Sequence, residues 1–395
     1  MELRAGYGMV VVQPTNYCNA NCSYCYLPGR RNTATMPPGI AERVAADILR
    51  QGHEVEVIWH SGEPTAIGVP AMRRLLAPFA EARTKGLVRH AIQTNATLVD
   101  DGWCELLGEY GFSIGVSLDG PVQLASARVD WAGHQITGRA LRGVRRLRAY
   151  GLNPYAICVV PPQNTGRGYE LMRFFHENGF DSVAFNLEGR EGVNTVREQP
   201  TNEQARRFWT GVITYGREHI GAEDVPVVRE LLAVQAYVDG ETWEREPMPT
   251  VMRDGSVVLA SPELAGLKSA RYHDFVAGHL LTESLSDIVA RAPRVPYVAE
   301  YHQGLAKCAA TCSFWQMCGG GYACNRWAEH GRFDTARTDW CTGSRIELAR
   351  ALIDLLDGDT TSPQARALSK LDPERAGGKK HGVVGRGRQS SAVGP

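Results

Sequence analysis

The chain has 395 residues, 43% of them hydrophobic, which is enough for one large core plus a smaller unit and excludes a small single-domain protein. Its 43 basic and 43 acidic residues cancel, so no global field draws it to nucleic acid or to an acidic membrane surface, and neither is expected as a partner. Ten cysteines, eight of them in two groups, and no long apolar run in residues 1–17 point to a cytoplasmic protein whose thiols serve metal or redox chemistry rather than disulfides.

From the start to about residue 220, β-rich runs alternate with helical patterns, as in repeated βα units. The strands read as "GMVVVQPT", "VEVIWHSGEP", "RHAIQTNAT", "FSIGVSLDG", "PYAICVVPP" and "SVAFNLEG". Between them, "GIAERVAADILRQ", "PAMRRLLAPFAEAR" and "GRALRGVRRLRAYG" carry apolar residues at helical spacing, and "EQARRFWTGVITYGREH" follows the last strand. Six units are too few to close an eight-stranded TIM barrel, so the expected fold is α/β, a partial (β/α)6 TIM-type barrel open on one side. Polar motifs fall at the C-terminal ends of the strands, where parallel α/β folds place their chemistry.

The first strand runs into Cys18-x3-Cys22-x2-Cys25, three thiols on one loop. Thiolates select zinc or iron–sulfur clusters. A structural zinc would take a fourth Cys or His nearby, and the closest is His53, beyond a whole helix. Three ligands suit a [4Fe–4S] cluster with one iron left open. Cys104 on a helical pattern and Cys158 inside an apolar strand read as small buried hydrophobes.

Beyond the repeat, residues 225–300 read as a connecting region with a β-like stretch, "GSVVLASPEL". Residues 301–360 hold five cysteines among many Gly and aromatic residues, which suggests a small unit organised by metal. Their order is Cys308-x3-Cys312-x5-Cys318-x5-Cys324-x16-Cys341. The end, 361–395, is Gly-rich, basic and poor in apolar residues, hence expected to be disordered.

The CxxxCxxC loop, with the aromatic Tyr24 before its last Cys, resembles the hallmark of the radical S-adenosylmethionine (SAM) superfamily, and the strand–helix repeat over 1–224 agrees with that likeness. The resemblance implies that SAM completes the cluster held by Cys18, Cys22 and Cys25. It also implies cofactor contacts from Ser61, Gly62, Glu63 and Pro64, in a segment similar to the family's GGEP motif but with Ser61 for its first Gly. Ser117 of "SLDGP" would lie near the ribose and Arg128 near the SAM carboxylate, while Gln93, Thr94 and Asn95 would either touch SAM or cap the next helix.

The C-terminal cysteines resemble the SPASM extension, which carries auxiliary [4Fe–4S] clusters. Five thiols are too few for two clusters, so one is expected, on Cys308, Cys312, Cys318 and Cys341, with Cys324 either spare or replacing one of the four; four Cys would also suit zinc. "VVVQPTNYCNANCSYCYLPGRR" together with "SPELAGLKSARYHDFVAGHLL" is similar to peptide maturases of the GrrM/OscB type, which implies an oxidoreductase that forms a cyclophane crosslink in a ribosomally made precursor peptide. An external electron donor such as flavodoxin or ferredoxin is implied as well. Other readings are an oxidase of the sulfatase-maturing type, an epimerase, a small-molecule tailoring enzyme, and a non-enzymatic iron–sulfur or zinc scaffold. A general base is needed for a ring proton; Asp119, Glu188 and His60 stand at strand ends and cannot be ranked by sequence.

Overall fold

The computed structural model describes residues 6–195, 197–219, 221–222, 224–241, 247–356 and 371. The tail expected over 361–395 lies outside the described residues, Leu371 apart. Six strands follow in chain order as β1 (Met9–Val12), β2 (Val55–Trp59), β3 (Val88–Thr94), β4 (Ser113–Ser117), β5 (Tyr155–Val160) and β6 (Ser182–Leu187). Each pairs in parallel with the next. The register sets Val12 opposite Trp59, Trp59 opposite Ile92 and Ile92 opposite Ile114. Because side chains alternate along a strand, these residues share one face, where they meet the helices in the core. Val11, Ile58, Gln93 and Gly115 turn to the other face, the inside of the open barrel.

The crossovers are α1 (Pro38–Gln51), α2 (Val69–Leu76), α3 (Ala80–Thr84), α4 (Asp101–Tyr110), α5 (Thr137–Ala149) and α6 (Gly168–Glu177), and α7 (Asn202–Glu218) follows β6. The single helix expected over 70–83 is two helices joined by a 3-10 turn at Ala77–Phe79, because Pro78 cannot donate to the helical ladder and crowds the preceding turn. Helix α1 buries Ile40, Ala41, Val44 and Ile48 along one stripe. The same helix buries Asp47, whose carboxylate accepts from the Tyr7 hydroxyl at 2.8 Å and the Ser286 hydroxyl at 2.7 Å, so one buried acid joins the chain's start, its first helix and its last third.

The sheet does not stop at six strands. Among the described residues it has ten, in the order β10-β9-β8-β1-β2-β3-β4-β5-β6-β7. β7 (Val227–Val228) extends the far edge, and helix α8 (Arg229–Val238) follows it. β8 (Thr250–Val251) joins β1 in parallel, and β9 (Ser256–Val258) and β10 (Val276–His279) continue antiparallel. The segment read as a connection over 225–300 thus contributes four short strands to the sheet, beside α8 and the helix at Leu285–Ala290.

The C-terminal third continues as α9 (Leu285–Ala290), α10 (Pro296–Thr311), α11 (Trp315–Cys318), α12 (Ala323–His330), α13 (Asp339–Cys341) and α14 (Glu347–Leu356). An aromatic core joins residues 272–297 to the 301–360 unit: Tyr272, Phe275, Tyr297, Trp327 and Phe333 meet with neighbouring ring centroids 5.3–6.4 Å apart. Apolar side chains run without a break from β1 to α14. Trp209 of α7 donates its indole N–H to the Gly343 carbonyl at 2.9 Å, and buried Glu347 receives Arg206 of α7 at 2.6 Å, which straps the last helix to the barrel. Among the described residues no helix is long and apolar enough to cross a membrane.

Close helix packing on the outside of the barrel rests on Gly168. A Cβ there would stand 2.2 Å from the Phe208 carbonyl oxygen of α7, backbone that cannot swing aside. Gly168→Ala is expected to destabilise the protein by about 1–3 kcal/mol, the range for overpacking, read as a lower urea midpoint at unchanged slope.

Candidate metal and cofactor site

The loop after β1 is pinned from several sides, and the pins are mostly backbone. Cys18 N–H donates to Arg30 O at 3.0 Å, Asn21 N–H to Val129 O at 2.7 Å and Ser23 N–H to Ala127 O at 3.0 Å. The Trp131 indole donates to Cys18 O at 2.8 Å. Cys22 is buried, and Cys18 and Cys25 are half-buried beside it. Burial, and then the charge of Glu63, push the Cys18 thiol up to about 12; burial raises Cys22 as well. Thiols placed so become ligands only when a cation replaces their protons. The Ala20 N–H already points at Cys18 Sγ, 3.4 Å away, with the Asn95 amide at 3.9 Å, as an anionic sulfur requires. The donor set and its surroundings fit a three-thiolate [4Fe–4S] cluster.

The ends of β2 and β3 close the other side. Gly62 has φ +57, and a Cβ on it would lie 2.4 Å from Tyr17 O, so only glycine lets the strand end touch the thiol loop. Ser61 sits at φ +92, a region that favours glycine, and its buried hydroxyl has no partner among the described residues. Glu63 accepts on Oε1 from Thr65 N (3.1 Å), Thr65 Oγ1 (2.6 Å) and Thr94 Oγ1 (2.5 Å), and on Oε2 from Asn95 N at 2.7 Å. Its first task is therefore to lock two strand ends together, which leaves Oε2 as the less occupied acceptor. Pro64 opens the 3-10 turn that follows. Buried Gln13 and the Gln93 Oε1 also lack partners, while Gln93 Nε2 donates to Ser117 Oγ at 2.9 Å. Unmatched polar atoms at the ends of β1, β2 and β3 are what a polar cofactor above the sheet would satisfy.

Asp119, just past β4, is fully engaged. It accepts from the Tyr24 hydroxyl at 2.5 Å, from Arg128 Nε and Nη2 at 3.0 Å each, and from Val159 N at 3.1 Å. It anchors the thiol loop and is not a free base. Arg128 spends two nitrogens on that fork, so Nη1 alone stands outside it. Glu188 is likewise committed, to Arg197 and to the Asn194 amide.

Four C-terminal thiols, Cys308, Cys312, Cys318 and Cys341, line one small cavity of about 20 Å³ together with Gly320 and Gly321. Thr338 N–H donates to Cys341 Sγ at 3.4 Å. Cys324 does not line that cavity. It is buried against Ser261 and Glu263.

The two cysteine regions meet through residues 188–194, a loop whose role has no sequence signature. Val193 N–H donates to Tyr26 O at 2.9 Å, and a Cβ at Gly192 would lie 2.2 Å from the same oxygen. On the other side the Asn325 amide donates to Arg190 O at 3.2 Å and Glu191 Oε1 at 3.1 Å. Tyr26 lies within electrostatic reach of Cys25 on one flank and of Glu263, Glu191 and Cys324 on the other. Loss of water and the neighbouring Glu263 carboxylate push Glu191 up to about 8, so it keeps a proton at neutral pH. Half-buried His60, its ring 6.4 Å from that of Tyr26, is pushed down to about 4 by burial and is a neutral imidazole at pH 7. Glu191 was legible in principle: it stands just beyond "SVAFNL", where the strand-end rule that found Asp119 applies equally.

The sequence profile of the Radical SAM superfamily matches residues 12–175. The chain carries a radical SAM domain. Its cofactors are accordingly a [4Fe–4S] cluster and SAM. An uncharacterized protein of Synechocystis sp. is 29% identical over 88% of this chain and 92% of its own length. The serine-type anaerobic sulfatase-maturating enzyme of Klebsiella aerogenes is 27% identical over 77% of this chain and 76% of its own length. The fold is that of native anSMEcpe with bound AdoMet (TM-score 0.72, 19% identity, 89% of this chain and 98% of that one). It is also that of Streptococcus suis SuiB bound to precursor peptide SuiA (TM-score 0.63, 19% identity, 85% and 76%).

Because Arg128 and Asp119 are both buried, removing the carboxylate leaves an uncompensated cation inside the radical SAM domain. Asp119→Ala is expected to cost about 3–5 kcal/mol in denaturant unfolding. Asp119→Asn, which keeps the acceptor for Tyr24, is expected to cost less.

Proposed function

We propose that the protein is a radical SAM peptide maturase that oxidises a ribosomally made precursor by two electrons, forming a cyclophane crosslink between an aromatic ring and a side-chain carbon. The observation that supports a two-centre oxidation is the 188–194 loop, which is bonded to Tyr26 beside the N-terminal thiol loop on one flank and to Asn325 of the cysteine-bearing C-terminal region on the other. In this reading Cys18, Cys22 and Cys25 hold the cluster that binds SAM. Gly62 admits the close approach, Ser61, Glu63 Oε2 and Ser117 meet the cofactor's polar groups, and Arg128 Nη1 faces its carboxylate. When bound, cluster and SAM supply a 5′-deoxyadenosyl radical that takes one hydrogen atom from an unactivated carbon. Cys308, Cys312, Cys318 and Cys341 hold one auxiliary [4Fe–4S] cluster as the electron acceptor. Glu191 and Glu263 handle the proton lost when the ring rearomatises, since Asp119 and Glu188 are already committed to arginines. The precursor peptide and an external electron donor such as flavodoxin or ferredoxin are the partners.

A second reading is favoured by the likeness to serine-type sulfatase-maturating enzymes: oxidation of a Ser or Cys in the substrate to an aldehyde. The two differ in product rather than in cofactors.

Replacing Cys18, Cys22 and Cys25 together with Ala is expected to abolish 5′-deoxyadenosine formation while the C-terminal iron stays. Intact, anaerobically reconstituted protein is expected to hold about eight irons, the content of two cubanes. Undiminished SAM cleavage in the triple variant would reject the assignment of the N-terminal thiols.

Co-expression with a precursor peptide distinguishes the products. A crosslink removes about two mass units and suppresses backbone fragments between the joined residues, as a closed two-electron oxidation requires. An aldehyde leaves fragmentation intact and reacts with hydrazine. A peptide fragmenting normally across its aromatic residues counts against the cyclophane reading alone.

A further inference from the structure

Arg326, on α12, is 1% exposed. Its Nη2 lies 3.2 Å from Cys308 Sγ and its Nη1 3.3 Å from the Phe333 carbonyl oxygen, and its Cζ stands 5.1 Å from the centre of the Tyr301 ring. Its Nε is buried without a partner. Among the described residues it has no carboxylate partner. Gly304 leaves room at this seat: a Cβ there would stand 2.0 Å from Nη1 and 2.4 Å from the Phe333 carbonyl oxygen that Nη1 approaches. Taking a cation out of water with no anion beside it costs several kcal/mol. Among the described residues the one candidate anion in contact is the Cys308 sulfur, which also lies against the Ala336 carbonyl oxygen. Arg345 and Arg337 line the same thiol cavity, so the four sulfurs stand in positively charged surroundings.

We propose that Arg326 sets the reduction potential of the C-terminal cluster, donating an N–H to the Cys308 sulfur so that this cluster, rather than the one beside Glu63, takes the second electron of the substrate oxidation. The proposal rests on reading Cys308, Cys312, Cys318 and Cys341 as [4Fe–4S] ligands. One hydrogen atom leaves the substrate to the 5′-deoxyadenosyl radical, giving 5′-deoxyadenosine. The carbon–carbon bond forms, one proton passes to the Glu191–Glu263 pair, and one electron converts the C-terminal cluster from its 2+ to its 1+ state. That electron adds negative charge at the sulfurs. A fixed cation and an N–H···S bond there stabilise the reduced form over the oxidised one and raise the potential. Arg326 touches a cluster ligand and not the substrate, so it is a positioning and tuning residue.

The test uses the full chain with Cys18, Cys22 and Cys25 changed to Ala, reconstituted so that only the C-terminal site carries iron. A potentiometric titration followed by electron paramagnetic resonance reads the midpoint with Arg326, Arg326→Gln and Arg326→Lys. Arg326→Gln is expected to lower the reduced fraction at fixed potential at least tenfold, about 59 mV for one electron, and Arg326→Lys to recover part of it. An unchanged midpoint in Arg326→Gln with full iron content overturns the proposal while leaving the cluster reading intact. Where either variant fails to hold iron, the native site decides: with 15N-labelled arginine, pulsed resonance is expected to find a nitrogen coupled to the reduced cluster, and its absence overturns the proposal. Zinc in place of iron at this site rejects the cluster reading and the proposal together.

Discussion

One buried carboxylate decides where the thiol loop stands. Asp119 leaves the end of β4 and gathers a phenol from the loop, a guanidinium from the 121–136 segment and a backbone N–H from the end of β5. A charge this deep is tolerable only because each of those donors is present and aimed. Tyr24 is thereby more than an aromatic spacer between two cysteines: its ring lies under Arg128 while its hydroxyl closes the network. Glu63 does the same for the ends of β2 and β3, so two acids with no solvent fix the floor on which three thiols sit.

The two cysteine regions differ most in the sign of their surroundings. Cys18 stands beside Glu63 and Cys22 beside the Asp119–Arg128 pair, and burial raises both thiols as it raises Cys308. The C-terminal thiols have Arg326 in contact and two further arginines along their cavity. The arginines at the second region favour added negative charge on its sulfurs. Residues 188–194 hold the regions in register, one flank hydrogen-bonded to Tyr26 and the other to Asn325.

What was legible from sequence was local. The six parallel strands repeat a strand–helix period, and the Cys18, Cys22 and Cys25 loop has its meaning in its own spacing. What was not legible depends on pairing across long separations. β8 has two residues, no pattern that marks it as a strand, and joins β1 some 240 positions away. The aromatic core of the C-terminal third draws on Tyr272 and Phe275, which belong by position to the segment read as a connector. There three successive residues, His273, Asp274 and Phe275, adopt positive φ, held by Asp274 accepting from Ser269 N–H at 2.9 Å and Lys268 Nζ at 2.9 Å. Asp119 could be picked out as a strand-end candidate and Arg128 through the family resemblance. Their partnership could not, because it is made in space by a turn that carries no sequence signal. The fifth C-terminal thiol shows the same limit: spacing leaves Cys324 open, and the fold turns it toward Ser261 and Glu263.

The bridge at residues 188–194 also orders events in time. During synthesis, Arg190 leaves the ribosome 135 residues before Asn325, its hydrogen-bond partner. Until then the Arg190 carbonyl and Glu191 Oε1 lack that amide donor, while the Glu191 and Asn194 backbone groups already pair with each other. The contact that ties the end of β6 to α12 can therefore close only after the last third of the chain has been made.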